Sequence, residues 1–332
     1  MRQLAGARLG ILILLLGCGC SGADTSAGTG AASSPGPASA AGAATLEPTP
    51  VACDPLPDMP EGRIAYTQVR EDGSTAIYLM KPDGTEKRCL VDTAGPDAAP
   101  AWSPDGRSLA FQGGTAEQED IYTVRADGTG LRQLTDTPEW EASPVWSPDG
   151  RRIAYSRSRM PDDPPWTIRV MSTDGSHDAP ILSSGHEVVW AEMRDWSPDA
   201  RTLLIATDNG GGLDLVEIRP DGTDLKPLRA AAGDFGSGAR YSPDGQSIVF
   251  QADLDGGCIY RSDRLAKHLV RLTRGCSTGV SLTWSPDGEQ ILWAGTDGGG
   301  DLESMLPDGS ERRTIVDSGD VAGPDWQPPT TN

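Results

Sequence analysis

Trp102-Ser103-Pro104-Asp105-Gly106 runs into Ser108-Leu109-Ala110-Phe111, and the same order returns four more times along the chain. The further copies are Trp146-Ser147-Pro148-Asp149-Gly150, Trp196-Ser197-Pro198-Asp199-Ala200, Tyr241-Ser242-Pro243-Asp244-Gly245 and Trp284-Ser285-Pro286-Asp287-Gly288. Pro324-Asp325-Trp326-Gln327-Pro328 is a partial last copy, and the aromatic residues recur every 42 to 50 positions. In each copy a strand ends in a large ring and a tight turn follows. Pro presets φ, Asp is a good second central residue, and Gly takes the left-handed position. Ala200 stands at that last position in one copy, which predicts local strain. An apolar strand such as Arg152–Tyr155 or Ser247–Phe250 comes next, then a third strand such as Asp120–Val124 or Thr167–Met171. Asp-Gly hairpins follow at Asp83-Gly84, Asp127-Gly128, Asp174-Gly175, Asp221-Gly222 and Asp308-Gly309, and a fourth strand such as Leu131–Thr135 closes the unit. One repeat has Asp263-Arg264-Leu265-Ala266-Lys267 in place of Asp-Gly.

Four antiparallel strands at this period predict an all-β chain, a β-propeller. The pattern begins at Arg63-Ile64-Ala65-Tyr66, which matches a second strand, and ends at Trp326, which matches a first strand. The C-terminal strand is therefore expected to complete the first blade and give six. Closure would hide the sheet edges that otherwise invite aggregation.

These repeats resemble TolB and the propellers that precede prolyl-oligopeptidase catalytic domains, over roughly residues 60 to 328. A role in Tol-Pal envelope machinery follows from it only by loose analogy, since fold does not fix function; the expected role is that of a non-catalytic cell-envelope lipoprotein that binds on its long-loop face. Two departures qualify the resemblance: TolB carries an α/β domain ahead of its propeller and is not lipidated. Some TolB-like propellers are polysaccharide lyases with histidine-rich metal sites, so the resemblance also leaves an enzymatic alternative, a lyase or hydrolase on glycans or small secreted molecules. Of the three histidines, strand order puts His177 and His268 on the turn face and His186 on the opposite one, which argues against a shared metal.

Residues 1–18 read as an export signal: Arg2 and Arg8, then an apolar run from Leu9 to Leu16. Leu15-Leu16-Gly17-Cys18 resembles a bacterial lipobox, which makes Cys18 the expected lipidation site and the bilayer a partner through an acyl anchor. Residues 19–52 are dominated by Gly, Ala, Ser, Thr and Pro and predict a flexible tether. A coil of this length reaches roughly 30 Å. The propeller domain is expected over 53–328, with a short tail at 329–332. Export makes cysteine oxidation expected. Cys53 precedes the first blade and Cys89 lies in its fourth strand, while Cys258 and Cys276 flank the last two strands of the fifth. Both pairs are expected disulfides.

The chain carries 48 acidic and 28 basic side chains, a formal net charge of −20, which disfavours nucleic acid as a partner. Its expected partner is a protein, peptide or glycan. Candidate binding residues are Trp140, Glu141, Trp166, His186 and Trp190 on the longer loops, and Arg194 and Arg240 on inner strands lining a channel. Glu139, Asp162, Asp163 and Glu187 accompany them. An Asp195–Arg240 ion pair is expected to bridge two blades.

Other chemical strings are weak. Gly275-Cys276-Ser277-Thr278-Gly279 fits a nucleophile-elbow pattern but lacks the strand-to-helix context of a hydrolase. Asp253, Asp255, Asp297 and Asp301 pair carboxylates on Gly-rich loops. Calcium is thus a candidate ligand, although Asp and Gly are ordinary turn residues and no cofactor is otherwise expected.

Overall fold

The computed structural model describes residues 53, 62–93, 95–115, 117–159, 166–182, 190–208, 213–228, 238–252, 258–265, 267–274, 280–295 and 300–330. The expectations for Cys18, the tether, His186 and Cys276 lie outside these residues, as do the 275–279 string, Asp253, Asp255 and Asp297.

The described chain is all β. Its strands are β1 (Ile64–Val69), β2 (Thr75–Met80) and β3 (Arg88–Val91), then β4 (Ala98–Trp102), β5 (Ser108–Thr115), β6 (Gln118–Arg125) and β7 (Arg132–Gln133). Next come β8 (Trp140–Trp146), β9 (Arg152–Ser158), β10 (Thr167–Ser172) and β11 (Ala179–Leu182), and β12 (Trp190–Trp196), β13 (Leu203–Asp208), β14 (Leu213–Ile218) and β15 (Lys226–Leu228). The last are β16 (Arg240–Tyr241), β17 (Ser247–Ala252), β18 (Cys258–Asp263) and β19 (Val270–Arg271), with β20 (Val280–Trp284), β21 (Ile291–Gly295), β22 (Gly300–Met305) and β23 (Arg313–Trp326). Four sheets are four-stranded antiparallel meanders: β4–β7, β8–β11, β12–β15 and β16–β19. The fifth has seven strands in the order β20-β21-β22-β23-β1-β2-β3. Within it, the start of β23 pairs with β22 (Val316 opposite Leu302) and its end pairs with β1 (Trp326 opposite Ile64). The inner strands touch in succession: β4 with β8, β8 with β12, β12 with β16, β16 with β20, β20 with β23 and β23 with β4.

The recurrent turn has a local explanation. Ser103 Oγ donates to Asp105 Oδ1 at 2.6 Å and accepts the Ser108 amide at 2.9 Å. The Gly106 amide donates to the Ser103 carbonyl at 2.9 Å. Ser147–Asp149, Ser197–Asp199, Ser242–Asp244 and Ser285–Asp287 repeat the side-chain bond. Ala200 does take positive φ, 56°. In the second kind of turn the glycine is required by proximity: a Cβ on Gly222 would lie 2.5 Å from the Ile181 carbonyl oxygen.

The cores lie between neighbouring sheets. Ala65, Ile77 and Leu79 pack against Trp102, Leu109 and Phe111. Leu204, Leu215 and Leu228 pack against Tyr241, Phe250 and Tyr260. Trp196 is 2% exposed. Its Nε1 donates to the Val145 carbonyl at 3.2 Å, and the Arg152 guanidinium stacks 4.7 Å from its ring centroid. Trp102, Trp196, Tyr241 and Trp284 are buried, whereas Trp146 and Trp326 are half-buried.

Two expectations need correction. One fourth strand is shorter than predicted: Leu131–Thr135 contributes only Arg132–Gln133, and the Ile121 amide of β6 donates to the Thr135 hydroxyl rather than to a strand carbonyl. The connection between second and third strands is not always long, since β5 and β6 are joined by just Ala116 and Glu117. Cys53 and Cys89 form a disulfide, with Cα atoms 5.6 Å apart. Cys258 is buried at the start of β18.

Candidate functional site

In each meander the first strand runs toward the Ser-Pro-Asp turn and the third toward the Asp-Gly turn or, after β18, its Asp263–Lys267 replacement, so both kinds of turn share one face. The connections from second to third strand, and from sheet to sheet, share the other. A cavity of about 560 Å³ runs along the inner strands to the turn face. Pro104, Pro148, Pro198, Pro243, Pro286 and Pro328, one from each copy of the motif, rim it there.

Glu192, Arg194 and Arg240 line the cavity. Glu192 and Arg194 stand two apart on β12 and form an ion pair, in which Nη1 donates to Oε1 at 2.9 Å and Nη2 lies 2.9 Å from Oε2. Ser143 Oγ adds a 3.3 Å bond to Glu192 Oε1. The Arg240 Nη1 donates to the backbone carbonyls of Arg194 and Ala239. The expected Asp195–Arg240 ion pair is replaced by a different contact. Asp195 accepts the backbone amides of Trp196 and Tyr241, each at 2.8 Å. Asp325 likewise accepts the Trp102 amide at 2.7 Å and the Thr283 hydroxyl at 3.2 Å. Buried amides need acceptors, and these carboxylates meet that need across sheet boundaries. Burial pushes Asp195 up to about 6, opposed by the charge of Arg240 and by its two amide bonds. Burial also raises Asp325 and lowers the Arg194 guanidinium.

At the opposite face the tryptophans are placed differently from the loop expectation. Trp140 and Trp190 open β8 and β12, and Trp166 directly precedes β10. Trp140 pairs with Ser158 and Thr167 with Arg157, so Trp140 and Trp166 come to the same end of one sheet, on either side of β9. Both are half-buried.

Glu141 is not a surface ligand. Its side chain is wholly buried, ion-paired with Arg157 Nε at 2.8 Å, and it accepts hydrogen bonds from Thr137 Oγ1 at 2.6 Å and Thr135 Oγ1 at 3.0 Å. The sequence places Glu141 on a loop, whereas it is the second residue of β8. Arg157 also reaches Glu139 at 3.7 Å and Asp178 at 3.3 Å. Arg169 holds Asp178 at 2.7 Å. Asp120, missed by sequence reasoning, is buried beside this network and shares Thr135 Oγ1 with Glu141. Burial, and then the hydrogen bond with Asp120, pushes Glu141 up to about 8. Glu119 is pushed up to about 7, again by burial.

His177 sits in an exposed turn near Ser176, and His268 bonds Asp263 at 2.5 Å. Among the described residues no three His, Cys, Asp or Glu side chains are grouped to hold a metal ion. No helix there is long and apolar enough to cross a membrane.

A model of the TolB β-propeller domain matches residues 57–185. A TolB homologue of Chlorobium luteolum is 42% identical over 50 residues, which is 15% of this chain and 11% of that protein. The match therefore spans about a tenth of this relative. Among solved structures, TolB from Acinetobacter baumannii has a TM-score of 0.71 at 22% identity, over 80% of this chain and 67% of its own. A TolB structure from Agrobacterium tumefaciens has a TM-score of 0.59 at 19% identity, over 79% and 91%. An oligogalacturonate lyase in complex with manganese has a TM-score of 0.55 at 16% identity, over 77% and 74%. At these identities the structural likeness speaks to the fold.

Proposed function

For this TolB-like β-propeller we propose a non-catalytic binding role in the cell envelope, in which the end of the β8–β11 sheet opposite the turns captures a protein, peptide or glycan. The observation that carries the reading is the placement of Trp140 and Trp166 on either side of β9. Half-exposed rings on a rigid sheet end lose little conformational freedom on binding and supply large contact area. Arg157, held by Glu139, Glu141 and Asp178, stiffens the strand between them. Trp190 opens the next inner strand at the same face.

The reading includes six blades closed by the C-terminal strand. The cyclic succession of inner-strand contacts supports it, as does the double pairing of β23. It also includes export, with Cys18 as the lipidated residue and residues 19–52 as the tether. The Cys53–Cys89 disulfide supports an oxidising compartment.

The test is capture from detergent-solubilised membranes by the full chain. Trp140→Ala and Trp166→Ala should lose the captured partner while keeping the parent melting temperature. Capture at the parent level by both variants would overturn the assignment of this surface. Detergent phase partition of the parent against Cys18→Ser tests the anchor separately. Equal partition of both into the aqueous phase would reject it.

A further inference from the structure

Among the described residues the large apolar side chains that stand exposed are Leu265, Leu269 and Val270, at 60%, 38% and 41%. They fall within six positions of one another, on the β18–β19 turn and on β19, the outermost strand of its sheet. The other repeats supply an internal control. Their outer strands carry Arg88, Arg132 and Gln133, Pro180, Lys226 and Pro227, and Arg313. Charge and proline at such positions are how sheets discourage contact at their edges. On this edge Arg271 is preceded by exposed Leu269 and Val270, in the same repeat that lacks the Asp-Gly turn.

The patch is also basic within an acidic chain. Residues 261–274 contain Arg261, Arg264, Lys267, Arg271 and Arg274 against Asp263 alone, while the whole chain has a formal charge of −20. The Asp263 carboxylate is occupied by the Leu265 and Lys267 amides, at 3.1 and 2.8 Å, and by His268. Arg264 turns inward to Glu217 and Arg271 to the Thr273 carbonyl. Lys267 stands exposed between Leu265 and Leu269.

A second, independent observation concerns the point where the chain joins the fold. Cys89 is the second residue of β3, directly after the Asp83-Gly84 hairpin, so the Cys53–Cys89 bridge holds residue 53 at the turn face. The β18–β19 turn lies on that same face. Residue 53 and the apolar, basic rim thus share one side of the molecule, and Trp140 and Trp166 occupy the other.

We propose that the rim formed by Leu265, Lys267, His268, Leu269 and Val270 docks on an anionic lipid surface. The apolar side chains enter the boundary between headgroups and acyl chains, and the basic ones meet the anionic headgroups. So small a patch binds weakly alone. A chain anchored near residue 53 raises its effective concentration at the bilayer and makes the weak contact count. A strand from another protein is the poorer occupant, because β19 offers only two residues for pairing. Docking here turns the opposite face, with its tryptophans, away from the membrane. The proposal takes its tether from the functional reading above but not its binding surface.

Hydrogen exchange of the full chain, with vesicles in excess so that the rim is read whether or not the N-terminus anchors, tests this. With phosphatidylglycerol in the vesicles, amides of residues 261–274 should slow several-fold, and the equivalent stretch 172–182 should not. Leu265→Ser combined with Leu269→Ser should abolish the slowing, and since both side chains are exposed the variant should fold. Identical exchange with and without vesicles would overturn the proposal. So would slowing without lipid that grows with protein concentration, which would mark a contact between copies of the chain. Partner capture by lipid-free protein reads the tryptophan surface separately.

Discussion

Arg63 and Gln327 bond to each other in both directions across 264 residues of sequence. The Gln327 amide donates to the Arg63 carbonyl at 2.8 Å, and the Arg63 amide donates to Gln327 Oε1 at 3.1 Å. Gln327 Nε2 then donates to the Gly106 carbonyl at 2.7 Å, so one buried side chain joins the residue after β23 to the residue before β1 and to the turn between β4 and β5.

This contact gives the first prediction. Gln327→Ala leaves a buried amide and a buried carbonyl without partners, a loss of roughly 1–3 kcal/mol. Deleting residues 320–332 removes the β23 pairing with β1 and bares two strand edges, so the truncated protein should aggregate or melt without cooperativity. Thermal melts of both proteins check this. A truncated chain melting within a few degrees of the parent would show that β1 needs no partner on that side.

Tryptophans on the two faces should separate by phenotype. Trp196→Ala removes a buried ring, its bond to Val145 and its contact with Arg152. The expected loss is roughly 3–5 kcal/mol. Trp166 is half-buried, and its removal should change stability by less than about 1 kcal/mol. Denaturant midpoints measured side by side decide the matter.

The fold was legible because its decisive chemistry is local. Ser103, Asp105 and Ser108 bond within six residues, and a reader of sequence can see the whole turn. Asp195 and Asp325 were not legible in the same way. Their acceptor role toward the Tyr241 and Trp102 amides spans 46 and 223 residues, and the residue before the aromatic anchor is not acidic in the other repeats. Glu141 was read as a loop ligand because nothing in its neighbours announces Arg157, which pairs with it across two strands. The exposed apolar rim showed in sequence only as a missing Asp-Gly. That Leu269 and Val270 face solvent depends on the sheet order.

Stability should depend on pH with a definite sign. Burial raises Glu141 to about 8, Glu119 to about 7 and Asp97 to about 6. Each binds its proton more tightly folded than unfolded. Its contribution is complete below the unfolded value and is lost as pH rises through the folded one. Turn aspartates such as Asp149 and Asp199 are lowered by their serine partners and act oppositely, losing their contribution as pH falls. The melting temperature should therefore peak near about pH 5 and decline toward about pH 9. Glu141→Gln should flatten the alkaline decline, as read by melts across that range.

Ala200 holds a φ of 56°, where four of its counterparts are glycine. Ala200→Gly should relieve the strain and raise stability by up to about 1 kcal/mol, despite the greater freedom of glycine in the unfolded chain. Gly150→Ala, at the equivalent turn with φ 67°, should lower it. Opposite shifts in denaturant midpoint would verify that backbone handedness, not packing, decides this position.

The Cys53–Cys89 bridge also decides where mechanical load enters the fold. Tension on any chain preceding Cys53 passes through sulfur into β3 and bypasses β1, the strand that pairs with β23. The two cysteines, 36 apart in sequence, close a loop that a pull cannot pay out as slack. A molecule held by its N-terminal side would thus resist being unzipped from its own closing seam for as long as the bridge stays oxidised. Under reducing conditions the same pull would fall first on β1.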